Sequence, residues 1–243
     1  MKEVRYFFVP DASSVGELPA DEAIHAARVL RLQPGDELFL MDGCGVFYHA
    51  RATLVTQKKL CYEILETLPQ QPAWHGKVWL AIAPTKMMER MEWLAEKATE
   101  VGFDHLTFLQ CQFSERKDVK ASRIDKIVVS AVKQSRKAWK PQVDELTPFK
   151  TFIDALPADT HCFIAHCYNE IERRDFFSCM EDLSPSANVC ILIGPEGDFS
   201  INEVRYALSR GCQSVSLGNS RLRTETAGLM GIAMAHLCKR IER

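Results

Sequence analysis

Hydrophobic and polar positions follow two different patterns along the chain. Up to about residue 70, apolar residues come in short runs split by turn residues: RYFFVP, GDELFLMDGCGVFYHARATLV and KKLCYEILETL. Asp42-Gly43 between apolar stretches is a hairpin signal, and Pro34-Gly35-Asp36 marks another turn. One helix interrupts these runs from Ala20 to Leu32, where Ile24, Ala27 and Leu30 or Val29 share a face. The pattern predicts a small β-barrel with one helix, ended by a linker at Leu68-Pro69-Gln70-Gln71-Pro72. From Lys77 strands and helices alternate: KVWLAIA, a helix over 86–101, HLTFLQC, a helix over 122–138, HCFIAHC, VCILIG, a helix over 201–210, SVSLG and a last helix. Such alternation predicts an α/β fold, a largely parallel sheet with helices on both faces. The expected division is a β-barrel domain over 1–70 and an α/β domain over 74–243.

Ligands in parallel sheets bind beyond the carboxyl ends of the strands, so the strand-end loops carry the chemistry. Two of them stand out. Gly194-Pro195-Glu196-Gly197-Asp198 follows VCILI, and Ser200 with Glu203 then forms a capping box for the next helix. Gly218-Asn219-Ser220-Arg221-Leu222-Arg223-Thr224-Glu225-Thr226-Ala227 follows SVSL, and both loops emerge on one edge of the sheet. Glycine allows close approach of a ligand to the backbone, and proline beside it fixes the turn. Neither loop is the Gly-x-Gly-x-x-Gly dinucleotide pattern or a Walker phosphate loop, which disfavours phosphate cradling and an enzyme using another nucleotide cofactor. RLRTETA holds more polar residues than a helix cap needs, just before AGLMGIAMAHLC, whose small residues allow close packing. His161, Cys162, His166 and Cys167 are metal-ligand types, but alternation along a strand turns neighbours to opposite faces, so no metal site is expected.

Composition changes this picture in two places. The net charge of -2 hides a segment from Arg116 to Lys140 with nine basic residues against Asp118 and Asp125, so a polyanionic partner fits that segment. The nine cysteines lie singly with no Cys-x-x-Cys pair, which points to reduced thiols. No run approaches the roughly 20 apolar residues of a membrane span, and the opening residues lack a signal-peptide pattern, so a cytoplasmic location is expected.

GPEG followed by a helix and then LG-x-x-x-LRTETA resembles the SPOUT superfamily of methyltransferases, and within it the RsmE family of 16S rRNA (uracil-N3)-methyltransferases. The resemblance covers nearly the whole chain. His25, Val29-Leu30-Arg31-Leu32 and Gly35-Asp36 are similar to that family's PUA-like RNA-binding domain. Glu92-Trp93, Lys97-Ala98-Thr99-Glu100 and Gly102 resemble its first long helix, and Gln134-Ser135 with Pro141 the next. Asp198 stands where the family usually has glycine, Arg221 where an apolar residue is common, and Lys137 where arginine is usual.

The resemblance implies a C-terminal domain knotted as a trefoil, a homodimer whose interface helps form the site, and S-adenosylmethionine bent into the knot loops. It makes Leu192, Gly194, Glu196, Gly197, Leu217, Gly218, Leu222 and Thr224 candidates for the cofactor crevice. Arg223 is then a binding or anion-stabilising group, because arginine stays protonated, and Glu225 a base or positioning group. Arg31, Arg116, Lys133, Arg136, Lys137 and Lys140 are candidate RNA phosphate contacts. The implied substrate is a uridine near the decoding site of the small ribosomal subunit. A non-catalytic RNA-binding protein and a methyltransferase acting on another RNA position are the alternatives.

Overall fold

The computed structural model describes residues 5–240. The chain divides into two compact units: residues up to Ala73 together with Val129–Lys140, and Trp74–Val128 together with the chain from Pro141.

The first unit is a four-stranded sheet in the order β1 (Tyr6–Phe8), β2 (Glu37–Met41), β3 (Val46–Val55) and β4 (Leu60–Pro69). β1 runs parallel to β2, and β2, β3 and β4 are antiparallel. Period-two alternation sends Phe7, Leu38, Leu40, Tyr48 and Leu60 into one core. The Asp42-Gly43 hairpin forms as its sequence requires: Asp42 Oδ1 accepts from the Cys44 and Val46 amides at 2.7 and 3.0 Å. β4 continues through Leu68 and Pro69, the segment expected to be linker; at the strand end the missing N-H of Pro69 breaks no ladder.

α1 (Ala20–Arg28) buries Glu22, Ala23 and Ala26 rather than the expected face, and Ile24 and Val29 lie exposed. Small alanines let the helix sit close, and the larger apolar side chains were the misleading signal. Buried Glu22 is answered within this unit by Lys133, whose Nζ lies 2.5 Å from Glu22 Oε1.

The second unit is a seven-stranded sheet whose strand pairs are all parallel. Its strands are β5 (Val78–Ile82), β6 (His105–Gln110), β7 (Gln142–Pro148), β8 (Thr160–Ala165), β9 (Arg174–Asp175), β10 (Asn188–Ile193) and β11 (Gln213–Ser216). Across the sheet they stand in the order β7-β6-β5-β10-β8-β11-β9. β10 is inserted between β5 and β8, so the strand order reverses at the centre, where crevices form in such sheets.

The helices of this unit are α2 (Met88–Val101), α4 (Phe149–Ala155), α5 (Phe176–Glu181), α6 (Ile201–Ser209) and α7 (Thr224–Arg240). α3 (Ala121–Ser135) passes from the second unit into the first. β7, an edge strand of mixed polarity, and the short α4 and α5 gave no periodic signal in the sequence.

Alternation along the central strands separates two faces. Ala81, Leu192 and Cys190 pack with Phe149, Phe199 and Val204 of the α4 and α6 side. Ile82 and Ile191 face α7, where side-chain methyls fill the space beside Gly228 and Gly231. A Cβ on Gly231 would stand 2.5 Å from Ile191 Cδ1, so the small residues of this helix serve close packing on the sheet. Near the end of α7, Lys239 Nζ donates to the carbonyls of His75, Pro185 and Ala187, anchoring the helix although burial lowers its pKa.

Candidate functional site

Beyond the carboxyl ends of β8, β10 and β11 lies a cleft of about 770 Å³, formed within the second unit. Its floor is made by strand-end residues Ala165, Ile193 and Val215, continued by Leu217 and Leu222. Its rim carries both signs of charge: Arg90, Arg173, Arg221 and Arg223 against Glu196, Asp198 and Glu225. An apolar floor with a few convergent polar groups suits a small organic ligand that is itself part flat and part charged.

The loop after β10 organises this edge of the sheet. Three carboxylates from one stretch each accept a backbone N-H from the loop that follows a different strand. Glu196 Oε1 accepts from Lys86 at 3.0 Å, beyond β5. Asp198 Oδ2 accepts from Cys167 at 2.8 Å, beyond β8. Glu203 Oε1 accepts from Gln112 at 2.8 Å, beyond β6. Glu203 also completes the capping box read from the sequence, accepting from the Ser200 amide at 2.8 Å while the Ser200 hydroxyl accepts from the Glu203 amide.

The glycines of this edge differ in what they do. At Gly194 a Cβ would meet the Phe199 amide nitrogen at 2.9 Å and the Asp198 carbonyl carbon at 3.1 Å, so the turn closes only without a side chain. Gly218 has a φ of 116° in open space, a backbone conformation reserved for glycine. Gly197 meets nothing nearer than Phe113 Cβ at 3.5 Å. Asp198 takes the left-handed region, φ 67°, and its carboxylate holds the Cys167 and Phe199 amides, which offsets the strain there.

His166 lines the cleft and is buried. Its Nδ1 accepts from the Tyr168 amide at 3.2 Å, which leaves Nε2-H to donate to Ser214 Oγ at 2.8 Å. Burial lowers its pKa, in keeping with a neutral ring. Beside it Arg173 donates to the His166 carbonyl at 2.7 Å. The Cys167 thiol is held above its ordinary range, first by desolvation and then by Asp198, so it is a weak nucleophile.

Glu225, in the first turn of α7, is buried, and its Oε1 lies 3.7 Å from Arg90 Nε. Its Oε2 has no hydrogen-bond partner. Arg223 is exposed on the rim. Thus Gly194, Glu196, Leu217, Gly218, Leu222, Thr224, Arg223 and Glu225 of the sequence-derived candidates converge on one cleft. Leu192 does not: strand alternation turns it into the core beneath α6, and Ile193 takes the place at the cleft. Gly197 stands exposed outside the lining. Arg90, His166, Asn169 and Arg173 line the cleft and went unrecognised as site residues, because they come from elements remote in sequence from either glycine-rich loop.

The basic candidates are placed as follows. Arg116 donates to the carbonyls of Thr85 and Lys86, at 3.2 and 2.6 Å, and so braces the loop after β5. Lys133 is paired with Glu22. Arg136, exposed at the end of α3 with φ 52°, lays its guanidinium 5.2 Å from the Tyr6 ring centre. Arg31 is also exposed in the left-handed region, φ 53°. Lys137 and Lys140 complete this basic stretch of the first unit and each is partly buried.

Comparison with known proteins places these features in a family. The model of an RNA methyltransferase domain matches residues 72–236, and that of an RNA methyltransferase PUA domain matches residues 18–64. The ribosomal RNA small subunit methyltransferase E of Synechocystis sp. is 30% identical, over 85% of this chain and 67% of its own length. A probable rRNA methyltransferase from Porphyromonas gingivalis, known by crystal structure, is 41% identical with a TM-score of 0.91, over 97% of this chain and 98% of its own. The ribosomal RNA small subunit methyltransferase E of Neisseria gonorrhoeae, solved with S-adenosyl methionine bound, is 28% identical with a TM-score of 0.80, over 95% and 96% of the two chains. Sequence motifs, domain content and fold agree: this chain belongs to the ribosomal RNA small subunit methyltransferase E family of RNA methyltransferases.

Proposed function

We propose that this protein is an S-adenosylmethionine-dependent methyltransferase of ribosomal RNA, and that its product is the N3-methyl derivative of a uridine in the 16S rRNA of the small subunit. The observation that carries the reading is the cleft at the strand ends, where the two sequence motifs meet in one lining. The residues present fit the cofactor: Ala165, Ile193, Val215, Leu217 and Leu222 offer an apolar bed for adenine, and the rim offers both charges to an amino-acid moiety. When bound, S-adenosylmethionine supplies an electrophilic methyl carbon on sulfur.

The protein's part is alignment and charge control. The uracil nitrogen must lose its proton before its lone pair bonds to the methyl carbon, and the resulting negative charge spreads over both carbonyl oxygens. Arg223 is assigned to stabilise that charge, since a guanidinium stays protonated. Glu225 is assigned to accept the proton: its Oε2 lacks a partner and it stands at the cleft. The domain boundaries proposed are 1–70 for RNA recognition and 74–243 for catalysis. Arg31, Arg116, Lys133, Arg136, Lys137 and Lys140 are the proposed phosphate contacts; Arg116 also donates to the carbonyls of Thr85 and Lys86, and Lys133 to Glu22.

The central insertion of β10 agrees with the trefoil knot of SPOUT enzymes, and exposed Met230 and Leu237 on α7 offer apolar surface to a second copy in a homodimer. No helix among the described residues is long and apolar enough to cross a membrane, and a cytoplasmic site of action goes with ribosomal RNA as substrate.

The test is methyl transfer from labelled S-adenosylmethionine to small ribosomal subunits lacking the modification, followed by mapping of the methylated base. A methyl on N3 of one uridine is expected, and a methyl on any other atom refutes the assignment. In the same assay Lys137→Glu with Lys140→Glu weakens RNA binding and leaves cofactor affinity unchanged, and equal RNA affinity removes those two contacts from the proposal.

A further inference from the structure

A smaller cleft, about 340 Å³, opens beside the first and is lined by Glu89, Arg90, Trp93, Arg223, Glu225 and Thr226. Arg90, Arg223 and Glu225 line both, so the two spaces adjoin. We propose that this smaller cleft seats the target uracil, with Trp93 as its stacking surface and Arg90 and Arg223 on its two carbonyl oxygens. The proposal rests on the reading that the substrate is a uridine in RNA.

The hydrogen-bonding edge of uracil reads acceptor, donor, acceptor: O4, N3-H, O2. Arg90, Arg223 and Glu225 supply the complement, two guanidiniums that only donate and a carboxylate that only accepts, with Glu89 as the second carboxylate of the lining. Glu225 also orients Arg90, whose Nε lies 3.7 Å from its Oε1, and the free Oε2 is the acceptor left for N3-H. Cytosine at this site would turn its amino donor toward a guanidinium and its N3 lone pair toward the carboxylate. Two mismatched contacts make the array a discriminator between the two pyrimidines.

Trp93 explains itself poorly as a structural residue. It is 43% exposed, three residues beyond Arg90 on α2, so indole and guanidinium stand on one side of the helix. A large aromatic ring at the wall of a charged cleft is the usual means of holding a base taken out of its stack. The shared lining then brings the base to the edge of the cofactor cleft.

The experiment is single-turnover methylation of small subunits lacking the modification, with the full-length protein and its Trp93→Ala, Trp93→Phe and Arg90→Lys variants. Cofactor affinity by calorimetry and molecular mass by light scattering accompany each variant. Trp93→Ala is expected to slow transfer about 10- to 100-fold, the scale of one lost stacking contact, with Trp93→Phe recovering most of the rate. Arg90→Lys is expected to slow it too, because lysine keeps the charge and loses the planar fork. Cofactor affinity stays unchanged in the two Trp93 variants, and mass in all three.

Wild-type rates in Trp93→Ala and Arg90→Lys overturn the subsite while leaving the methyltransferase reading intact. A rate loss that follows loss of the dimer shows that a second copy, not a base, covers Trp93, and one that follows loss of cofactor affinity shows a scaffold role. If the wild-type protein methylates no uridine, the proposed function itself falls.

Discussion

Replacing each glycine of the cleft edge by alanine separates two reasons for glycine in such a loop: closure of a turn and room for a ligand. At Gly194 the added methyl meets backbone, the Phe199 nitrogen at 2.9 Å and the Asp198 carbonyl carbon at 3.1 Å, which cannot swing aside as a side-chain end can. Overpacking of this kind costs about 1–3 kcal/mol. At Gly218 the methyl finds open space, but φ 116° is strained for any L-residue, at about 1–3 kcal/mol. At Gly197 neither applies, and alanine should be neutral or stabilising by up to about 1 kcal/mol. Urea unfolding reads the stability, and calorimetric titration with S-adenosylmethionine reads the site. Where the strain is relieved by opening the loop, affinity falls about tenfold for every 1.4 kcal/mol, so Gly194→Ala and Gly218→Ala weaken binding while Gly197→Ala does not. A Gly197→Ala variant that loses as much affinity as Gly194→Ala, with stability unchanged, would refute the reasoning, because ligand approach and not turn closure would then set the requirement.

Asp198→Gly removes the left-handed strain and the carboxylate together, whereas Asp198→Ala removes only the carboxylate, so Ala should be less stable than Gly by about 1 kcal/mol and both should bind cofactor more weakly. Cofactor affinity equal to wild type in Asp198→Gly would show that the tie to Cys167 does not hold the cleft. The folded-state pKa of His166 lies below 6.5 because of burial, so the unfolded chain binds more protons there in mild acid. Its contribution is fully present above about pH 6.5 and is lost as pH falls toward the folded value. His166→Gln should flatten urea midpoints measured between pH 5 and 7.5, leaving the slope from His105, whose pKa burial also lowers; an unchanged slope counts against His166.

The parts legible in the sequence are those set by local rules. Asp42-Gly43 makes its hairpin and Ser200-x-x-Glu203 its capping box, since both signals act within a few residues. The alternating second half becomes a parallel sheet, since a strand followed by a helix leaves few other outcomes. What was not legible depends on distant partners. Ile24 reads as core, yet Ala23 and Ala26 are what the packing buries, and Leu192 reads as a cleft wall although the pleat turns it inward. Arg90 and His166 carry no motif; the fold alone brings them to the cleft.

The acidic residues around Gly194 do more in the fold than their motif shows. Glu196 reads as a candidate for the cofactor crevice, Asp198 as a departure from glycine and Glu203 as a cap. In the fold Glu196, Asp198 and Glu203 secure the loops after β5, β8 and β6 through backbone amides. Glu225 differs in that its Oε2 accepts nothing, and its proposed role as proton acceptor rests on that difference. Partners therefore divide the acids: Glu196, Asp198 and Glu203 tie loops of the cleft edge together, whereas Glu225 in the first turn of α7 keeps one oxygen without a hydrogen-bond partner.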